Sequence, residues 1–236
     1  MKTATKPILP GDPLTVLTYD HPHRKTYDLV TMLCAHGYRP RLFALPWVER
    51  KGHTPLIPHR PPMRYSVGPG ELAKAFGLEI GFGVMKMLPD FGDAVILIGG
   101  AGIISTEVLD ACPPVINSHP GYLPFSRGLD SVKWSVLFGL AAGVTTHYVT
   151  DEVDAGPVIY QDMTDEEHGD TFSTFAQRVY EMEIHALLLS LTADALLDPV
   201  EQVGATSYQI RRRMPHRLEV YLEERFRTRL LREVRS

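Results

Sequence analysis

The run Ala94-Val95-Ile96-Leu97-Ile98, closed by Gly99 and Gly100, limits the possible folds more than any other stretch of the sequence. An uninterrupted apolar run of this length is typical of a parallel strand buried on both faces of a sheet. Shorter strand-like runs and helical patterns alternate on either side of it. This alternation predicts an α/β fold: a Rossmann-like, open, mostly parallel twisted sheet with helices on both faces.

The hydrophobic pattern also predicts the other elements. The predicted strands cover residues 14–19, 41–45, 114–117, 143–149 and 158–160. The predicted helices cover about 24–36, 105–111, 130–138 and 170–196, and Asp130 is predicted to cap the third of them. Residues 1–12 are predicted to be a loose lead-in, and the proline-rich residues 46–70 a long loop.

The last part of the chain differs in composition from the rest. Residues 211–235 contain nine arginines and four glutamates, which predicts a charged helix with intrahelical ion pairs. The apolar stripe of this helix consists of Leu218, Tyr221, Leu222, Phe226 and Leu230. We therefore expect a catalytic domain over residues 13–200 and a small C-terminal helical extension over residues 201–236.

The composition excludes several classes of function. The formal net charge of -4 argues against a nucleic-acid partner, because proteins that bind nucleic acids are usually strongly basic. The two cysteines give neither a disulfide framework nor a metal-ligand spacing, which favours a reducing compartment. No apolar run matches a signal peptide or reaches the roughly 18 residues of a membrane span. We therefore expect a cytoplasmic protein without a membrane partner, and a homodimer is compatible with the sequence.

Asn117 and His119 lie two residues apart at the carboxyl end of a predicted strand. Residues i and i+2 of a strand point the same way, so the amide and the imidazole are expected to share one crevice. Open α/β sheets bind their ligands at this edge. Asp154 lies in a predicted tight turn between two later strands, from which its carboxylate can reach the same edge.

These three side chains suit acyl transfer to an amine. A histidine can move protons, a carboxylate can orient the histidine, and an asparagine NH₂ group can donate to the oxyanion. The last interaction is worth roughly 3–4 kcal/mol of barrier. The pattern G-x-S-x-G is absent, so no serine nucleophile is indicated. Taken alone, however, Asn-x-His is more often a hydrogen-bonded turn, and Asp154 can be a turn residue.

A combination of short motifs extends this interpretation. The motifs are Asn117-Ser118-His119-Pro120, Leu123-Pro124, Arg127-Gly128, Gly143-Val144-Thr145-Thr146-His147 and Asp154-Ala155-Gly156. Together, between Leu97 and Gln161, they resemble the folate-dependent formyltransferase family. Members of that family include glycinamide ribonucleotide formyltransferase, methionyl-tRNA formyltransferase, amino-sugar N-formyltransferases and formyltetrahydrofolate deformylase.

The resemblance implies an enzyme that transfers a formyl group from 10-formyltetrahydrofolate to a small-molecule primary amine, without a metal ion. It implies that Asn117, His119 and Asp154 are the catalytic residues. The residues that it implies for folate binding are Gly102, Ile103, Ile104, Thr150 and Val153. It assigns Arg127 and His147 to the substrate side, with His147 behind the catalytic residues. The alternatives are a solvated loop residue for Arg127 and a hydrogen-bonded core histidine for His147.

Departures from the family pattern bear on the acceptor amine. Glycinamide ribonucleotide formyltransferases carry a Gly-Ser-Asn phosphate loop after the first strand, whereas residues 19–24 contain no glycine. The sequence also leaves no room for the additional domains of the tRNA enzymes or the deformylase. We therefore expect an amino-sugar nucleotide or another specialised small amine as acceptor. The alternatives are glycinamide ribonucleotide, hydrolysis of the formyl donor, and a folate-binding protein that has lost catalysis.

Without a glycine loop, side chains have to hold any phosphate of the acceptor. The candidates are Arg24, Lys25, Arg127, Lys133 and the run Arg211–Arg213, although that run is more often a solvated face. Residues 46–70 are a candidate wall or lid of the cleft. His53 and His59 are interpreted as surface residues of this loop.

Overall fold

The computed structural model describes the backbone of residues 2–47, 52–63, 66–92 and 95–233. The strands are β1 (Leu14–Tyr19), β2 (Arg41–Leu45), β3 (Ile80–Phe82), β4 (Val95–Ile98), β5 (Val115–His119), β6 (Gly143–Tyr148) and β7 (Val158–Met163). The α-helices are α1 (Arg24–Ala35), α2 (Pro69–Phe76), α3 (Thr106–Ala111), α4 (Ser131–Phe138), α5 (Phe172–Ser190) and α6 (His216–Glu233). Short 3₁₀ turns cover Met85–Met87, Asp194–Leu196 and Ala205–Ser207.

The strands form a seven-stranded sheet in the order β3-β2-β1-β4-β5-β6-β7. β1 to β5 pair in parallel, whereas β6 and β7 extend one edge with antiparallel pairing. The predicted Rossmann-like, mostly parallel α/β fold is therefore confirmed. Because β6 runs against β5, His147 lies opposite Asn117, and Thr145 lies opposite His119.

Apolar side chains alternate between the two faces of the central strands, as a sheet covered on both faces requires. Val16 of β1 and Leu97 of β4 lie in a core that includes residues of α1, α2 and α5. Leu17 and Ile96 lie in a second core, which Val108 of α3 helps to cover. Burial on both faces explains why the run at β4 is continuous rather than alternating.

α2 and β3 lie where the sequence pattern indicates only loop. α2 has eight residues and therefore barely two turns of periodicity. Its start is stabilised by the N–H of Gly68, which donates to the Glu71 carboxylate at 2.9 Å. β3 has three residues, too few to show alternation. Ala94 and parts of the predicted loop (residues 48–51 and 64–65) lie outside the described residues.

The segment before β1 is packed, so the prediction of a loose lead-in is wrong. Ala4 and Ile8 are buried in the core beside α1 and α5. The N–H of Ile8 donates to the Leu191 carbonyl at 2.8 Å, and the Tyr38 hydroxyl donates to the Ile8 carbonyl at 2.9 Å. Two apolar residues among prolines and lysines have no periodicity, which is why the sequence pattern does not reveal their burial.

The segment after residue 200 packs on the sheet domain through α6. Leu222 and Phe226 lie in a core with Phe172 and Phe175 of α5. Tyr221 belongs to the predicted apolar stripe, but it is 57% exposed. The side chain of Leu230 lies outside the described residues.

Asp130 precedes α4 but does not cap it, which corrects the predicted role of this residue. Its backbone is in the left-handed region, with φ of 55°. Its carboxylate instead accepts the N–H of Met214 at 2.8 Å. Asp130 therefore joins α4 to the segment that leads into α6. The domain boundary between residues 200 and 201 stays a prediction.

The described helices and the two cysteines bear on the expectations from composition. Among the helices that the structure describes, none combines the length and apolar character needed to cross a membrane. Cys34 and Cys112 are both free thiols, and Cys112 is buried. Burial raises the pKa of each thiol, which disfavours the reactive thiolate.

Candidate active site

Asn117 and His119 lie among the last three residues of β5, at its carboxyl end. Alternation along the strand places their side chains on the same face. His119 is 5% exposed, and Asn117 is partly buried. The pairing of β5 with β6 places His147 directly across from Asn117. An amide and two imidazoles therefore meet at the edge where open α/β sheets bind ligands.

Asp154 lies in the turn between β6 and β7 and completes this group. Its Oδ2 atom lies 3.5 Å from Nδ1 of His119, and its Oδ1 atom lies 3.8 Å from Nε2 of His147. Oδ2 also accepts the N–H of Gly128 at 2.8 Å. The backbone of Asp154 is in the left-handed region, with φ of 51°, which aspartate tolerates better than most residues. The structure thus brings the predicted residues together around one carboxylate.

The surroundings of Asp154 favour its charged form. Burial raises the pKa of this carboxyl, but the positive fields of His119 and His147 and the Gly128 N–H outweigh it, so that the pKa falls below its usual value. Burial lowers the pKa of His147, although the nearby Asp154 carboxylate opposes this effect. Nδ1 of His147 donates to the Tyr148 carbonyl at 2.8 Å. His147 therefore faces Asp154 from the core side, as the resemblance implies, and is also a hydrogen-bonded core residue.

His119 is held between two acceptors. Its Nε2 atom lies 2.7 Å from the Ser126 carbonyl oxygen. A carbonyl can only accept, so Nε2 carries a proton. Its Nδ1 atom faces the Asp154 carboxylate, which is also an acceptor. This arrangement suits the doubly protonated ring, the form that a proton-transferring histidine adopts after it has taken a proton from an amine.

Lys25 is predicted from the sequence only as a phosphate ligand, but the structure places it beside Asn117. It lies at the start of α1, is 3% exposed, and donates from Nζ to the Ser118 carbonyl at 2.9 Å. The Nζ atom also lies 3.5 Å from Oδ1 of Asn117. Because an ammonium has only donors, it holds Oδ1 on its own side and turns the NH₂ group of Asn117 away from it. Its position on the apolar face of α1, four residues before the buried Leu29, is the signal that could have revealed it.

A buried ion-pair network holds Lys25. Its Nζ atom lies 2.8 Å from Glu183 of α5, and an Arg60 guanidinium nitrogen lies 2.9 Å from the same carboxylate. Burial alone raises the pKa of Glu183, but Arg60 and Lys25 outweigh it and lower the pKa to about 2. Burial lowers the pKa of Lys25, although Glu183 opposes this effect. Arg60 belongs to residues 52–63, so the network connects this loop with α1, α5 and Asn117.

Arg127 does not act as the predicted substrate ligand or anion anchor. Its side chain is 1% exposed. Its guanidinium donates to the Val153 carbonyl at 2.5 and 2.9 Å and to the Ala205 carbonyl at 2.6 Å. These bonds to backbone oxygens occupy the donor fork, so Arg127 fixes the Asp154 turn against the C-terminal segment.

Gly128 joins the same turn to the C-terminal segment. It pairs with Arg211 as an isolated β-bridge and has φ of 92°. A Cβ atom at this position would lie 2.3 Å from the Arg211 carbonyl oxygen, so only glycine fits. The N–H of Gly128 is the donor that reaches Asp154. The path of the chain near residue 211 therefore sets the position of a hydrogen bond to the central carboxylate.

Apart from the exposed Arg212, the other predicted phosphate ligands have intramolecular partners. These pairs are Arg24 with Asp28, Lys25 with Glu183, Lys133 with Glu219, Arg211 with the rings of Trp134 and Phe138, and Arg213 with the His53 carbonyl. Lys25 and Lys133 are buried as well. The prediction that these side chains hold phosphate is therefore wrong for the two lysines and is not supported for the three arginines.

Aromatic rings lie at the edge formed by residues 19–24, where the absence of glycine argues against a phosphate loop. The ring of Trp47 stacks on that of His21, with centroids 4.8 Å apart and planes inclined by 27°. Tyr19 contacts Trp47 edge-on at 4.9 Å. Trp47 is 45% exposed, so one face of this group meets solvent. Rings of this kind favour stacking with flat or apolar groups of a ligand over phosphate binding.

The predicted folate-binding residues lie on two neighbouring segments. Ile104 is 7% exposed and belongs to the same apolar cluster as Val149, just before the Asp154 turn. Gly102 is exposed, and Ile103 is 86% exposed. Thr150 and Val153 are half-buried in the turn. These placements are compatible with two walls of an open cleft, and the assignment stays a prediction.

One cleft lies next to the Asp154 turn, and a larger one lies elsewhere on the molecule. A cleft of about 340 Å³ adjoins the Asp154 turn and is lined by Thr150, Ala155 and Ala205, among others. A larger cleft of about 770 Å³ lies between α1 and α5. None of the predicted catalytic or folate-binding residues lines the larger one, so volume alone does not identify the candidate site.

Solved structures share this fold. A sugar N-formyltransferase from Shewanella sp. superposes with a TM-score of 0.54 at 17% identity, over 84% of this chain and 76% of that one. A phosphoribosylglycinamide formyltransferase from Coxiella burnetii superposes with a TM-score of 0.54 at 19% identity, over 76% and 86% of the two chains. At these identities the likeness shows the fold alone, which is a Rossmann-like α/β fold.

Sequence comparison gives a family match for part of the chain. Residues 85–191 match the Formyl transferase family. Phosphoribosylglycinamide formyltransferase of Bacillus subtilis is 34% identical over 93 residues, which are 39% of this chain and 48% of that protein. dTDP-4-amino-4,6-dideoxyglucose formyltransferase of Mycobacterium tuberculosis is 33% identical over 73 residues, 31% of each chain. The chain thus spans less than half the length of these relatives.

Proposed function

We propose that this protein transfers a formyl group from 10-formyltetrahydrofolate to a primary amine. The observation that carries the proposal is the Asp154 carboxylate, held between His119 and His147 beside Asn117. This group lies within the segment that matches the Formyl transferase family. The free thiols and the lack of a membrane-spanning helix among the described residues are compatible with action in the cytoplasm on a small molecule.

The site residues fit a folate formyl donor. Of the proposed folate-binding residues, Thr150 lines the cleft of about 340 Å³ beside the Asp154 turn. The turn offers backbone groups, and Ile103 offers an exposed apolar side chain. Thr150, Val153, Gly102, Ile103 and Ile104 are the residues that we propose to hold the pteridine. The donor supplies an activated formyl carbon attached to a nitrogen leaving group.

The residues of the chain would divide the chemistry as follows. The amine nitrogen attacks the formyl carbon, a C–N bond forms, and the carbonyl oxygen becomes an oxyanion. The NH₂ group of Asn117 donates to this oxyanion, and His119 takes the proton that the amine loses at Nδ1, the ring nitrogen that faces Asp154. The bond to the leaving nitrogen then breaks, and His119 returns the proton to that nitrogen. Asp154 stabilises the charged ring between these two steps.

For the acceptor, we propose an amino sugar linked to a nucleotide. The rings of Tyr19, His21 and Trp47 at the ends of β1 and β2 support this choice, because they offer stacking surface rather than a phosphate loop. The similarity to the Bacillus subtilis protein favours glycinamide ribonucleotide as the second candidate. Hydrolysis of the donor is a third candidate, since the same side chains can activate water.

Donor turnover with different acceptors tests the proposal. We expect consumption of 10-formyltetrahydrofolate only when a dTDP-linked 3-amino or 4-amino sugar is present. The turnover number of His119→Ala should fall by at least about a hundredfold while its circular dichroism spectrum is unchanged. Efficient turnover with glycinamide ribonucleotide would replace the proposed acceptor. Turnover without any amine would identify a hydrolase, and a folded but active His119→Ala would contradict the proposed chemistry.

A further inference from the structure

A second cluster of potential ligand atoms lies away from the Asp154 site, where residues 52–63 meet the start of α6. It consists of His53, His216 and Glu219. One ring nitrogen of each histidine and one carboxylate oxygen all lie within 4.8 Å of one another. The two rings are in contact, with centroids 4.3 Å apart and planes inclined by 79°. His216 and Glu219 are three residues apart on α6 and therefore share one face of the helix.

Hydrogen bonds fix which nitrogen of each ring can bind a metal ion. Nε2 of His53 lies 2.9 Å from the Met214 carbonyl, and Nε2 of His216 lies 2.7 Å from the Thr54 carbonyl. Carbonyls only accept, so both Nε2 atoms carry the proton and both Nδ1 atoms keep a lone pair. Histidines that bind metals typically donate their other ring nitrogen to a carbonyl or carboxylate in this way. Each ring here donates to the segment that carries the other ring.

Glu219 supplies an ionised carboxylate. The residue is fully buried, its Oε2 atom accepts the N–H of Leu56 at 2.9 Å, and its Oε1 atom lies 2.5 Å from Nζ of Lys133. Each carboxylate oxygen has two lone pairs, so one on each remains. Asp130, 3.5 Å from Lys133, is a second partner for the ammonium.

We propose that His53, His216 and Glu219 bind one divalent transition-metal ion of the zinc type. Two imidazole nitrogens and one carboxylate oxygen form a ligand set that suits Zn²⁺, with water in the fourth position. Bonds of about 2.0–2.2 Å bring tetrahedral ligand atoms to roughly 3.5 Å from one another. Binding therefore draws His53 and its loop towards α6. The ion has a structural role, because its ligands do not belong to the Asp154 site.

Titration calorimetry with ZnCl₂ on untagged, chelator-treated protein tests this site. We expect one ion per chain and a rise of the thermal unfolding midpoint by about 5 °C at saturating Zn²⁺. MgCl₂ at the same concentration should have no effect, because Mg²⁺ prefers an octahedron of oxygen ligands. The metal dependence is measured on folding and binding alone, so it does not depend on the proposed formyl transfer.

Two variants and a control separate this site from general zinc binding. His53→Gln and His216→Gln keep an amide donor for the carbonyl but lose the imidazole lone pair. We expect each to weaken Zn²⁺ binding by at least about tenfold and to abolish the rise of the unfolding midpoint. His185→Gln, at an exposed position on α5, should bind like the unsubstituted protein. Undetectable binding, or equal affinity in the double variant His53→Gln/His216→Gln, would overturn the proposal.

Discussion

At the scale of single residues, the site depends on how one carboxylate is held. Asp154 has a left-handed backbone, accepts the Gly128 N–H, and lies between two imidazoles. Asparagine tolerates the same backbone conformation and keeps an acceptor oxygen, but it carries no charge. A substitution by asparagine therefore separates the electrostatic role of Asp154 from its role in the turn.

We expect Asp154→Asn to lower the turnover number by about a thousandfold and to leave the unfolding temperature nearly unchanged. The loss follows because the neutral amide no longer stabilises the charged form of His119, as in other carboxylate–histidine pairs. Steady-state kinetics and calorimetry on the same preparation measure both effects. A variant that unfolds easily but keeps its specific activity would show that Asp154 has only a structural role.

A second residue-scale prediction concerns Lys25. Lys25→Met removes the ammonium that orients the Asn117 amide, and Glu183 keeps Arg60 as its partner. We expect the turnover number to fall by about tenfold or more with little change in KM for either substrate, because the oxyanion donor is misplaced. Lys25→Arg should recover part of the loss.

The exposed Lys74 on α2 provides the control for this substitution. Lys74→Met should leave both kinetic constants unchanged. Equal effects of Lys25→Met on the turnover number and on KM would contradict a role in orienting Asn117. A change confined to the unfolding temperature would show that Lys25 only stabilises the core.

The sequence predicts the side chains around Asp154 better than it predicts the ion-pair network of Lys25. Strand alternation and a turn motif, both local signals, predict that Asn117, His119 and Asp154 lie together, whereas their catalytic roles are implied only by the resemblance. Lys25, Glu183 and Arg60 lie far apart in the sequence and meet only through the packing of α1, α5 and a loop. Arg127 shows the converse error: its motif is local, but its carbonyl partners lie on other segments.

At the scale of elements, Glu183 joins three parts of the fold. It lies on α5 and pairs with Lys25 of α1 and with Arg60 of the loop over residues 52–63. A carboxyl whose pKa is lower in the folded than in the unfolded protein stabilises the fold at any pH above its unfolded-state pKa. This stabilisation is lost as the pH falls through its folded-state pKa. For Glu183 the relevant window extends from its ordinary value of 4.5 down to about 2.

We expect Arg60→Met to lower the free energy of unfolding at pH 7 by about 1.5–3 kcal/mol, the worth of a hydrogen bond to a charged group. The pKa of Glu183 should rise towards 4.5 in this variant, so acid unfolding should begin at a higher pH. Urea unfolding between pH 3 and 7 measures both effects. Arg41→Met, which removes an exposed pair with Glu79, is the control and should change neither. An unchanged acid transition in Arg60→Met would contradict the assigned network.

The accuracy with which each helix or strand is predicted depends on the strength of its hydrophobic periodicity. The long or fully apolar elements, such as β4 and α5, are predicted with errors confined to their ends. α2 and β3 are too short to show a period, and their existence depends on contacts with β2 and α1. The antiparallel direction of β6 cannot be inferred from its own residues, because parallel and antiparallel strands share the same alternation.

At the scale of the whole molecule, the C-terminal segment contributes to the core of the domain. Phe226 of α6 is 3% exposed and contacts Phe172 of α5 edge-on at 5.8 Å. We expect Phe226→Ala to lower the free energy of unfolding by about 3–5 kcal/mol, the usual cost of removing a buried phenyl ring. The variant should still unfold in one cooperative transition.

Tyr221 of the same helix is 57% exposed and serves as the control. Tyr221→Ala should change the free energy of unfolding by less than about 0.5 kcal/mol. Differential scanning calorimetry on both variants makes the comparison. Two separate transitions in the unsubstituted protein would show that residues after 200 form an independent unit, in line with the boundary expected from composition.

The bridge between Gly128 and Arg211 also has a consequence for protein synthesis. The ribosome makes Asn117, His119 and Asp154 well before the strand segment that supports their geometry. Until residue 211 has left the exit tunnel, Gly128 has no neighbour to hold its N–H towards Asp154. We therefore expect a nascent chain to acquire this hydrogen-bond geometry only after residue 211 has emerged, and a stalled chain ending before residue 211 to be inactive.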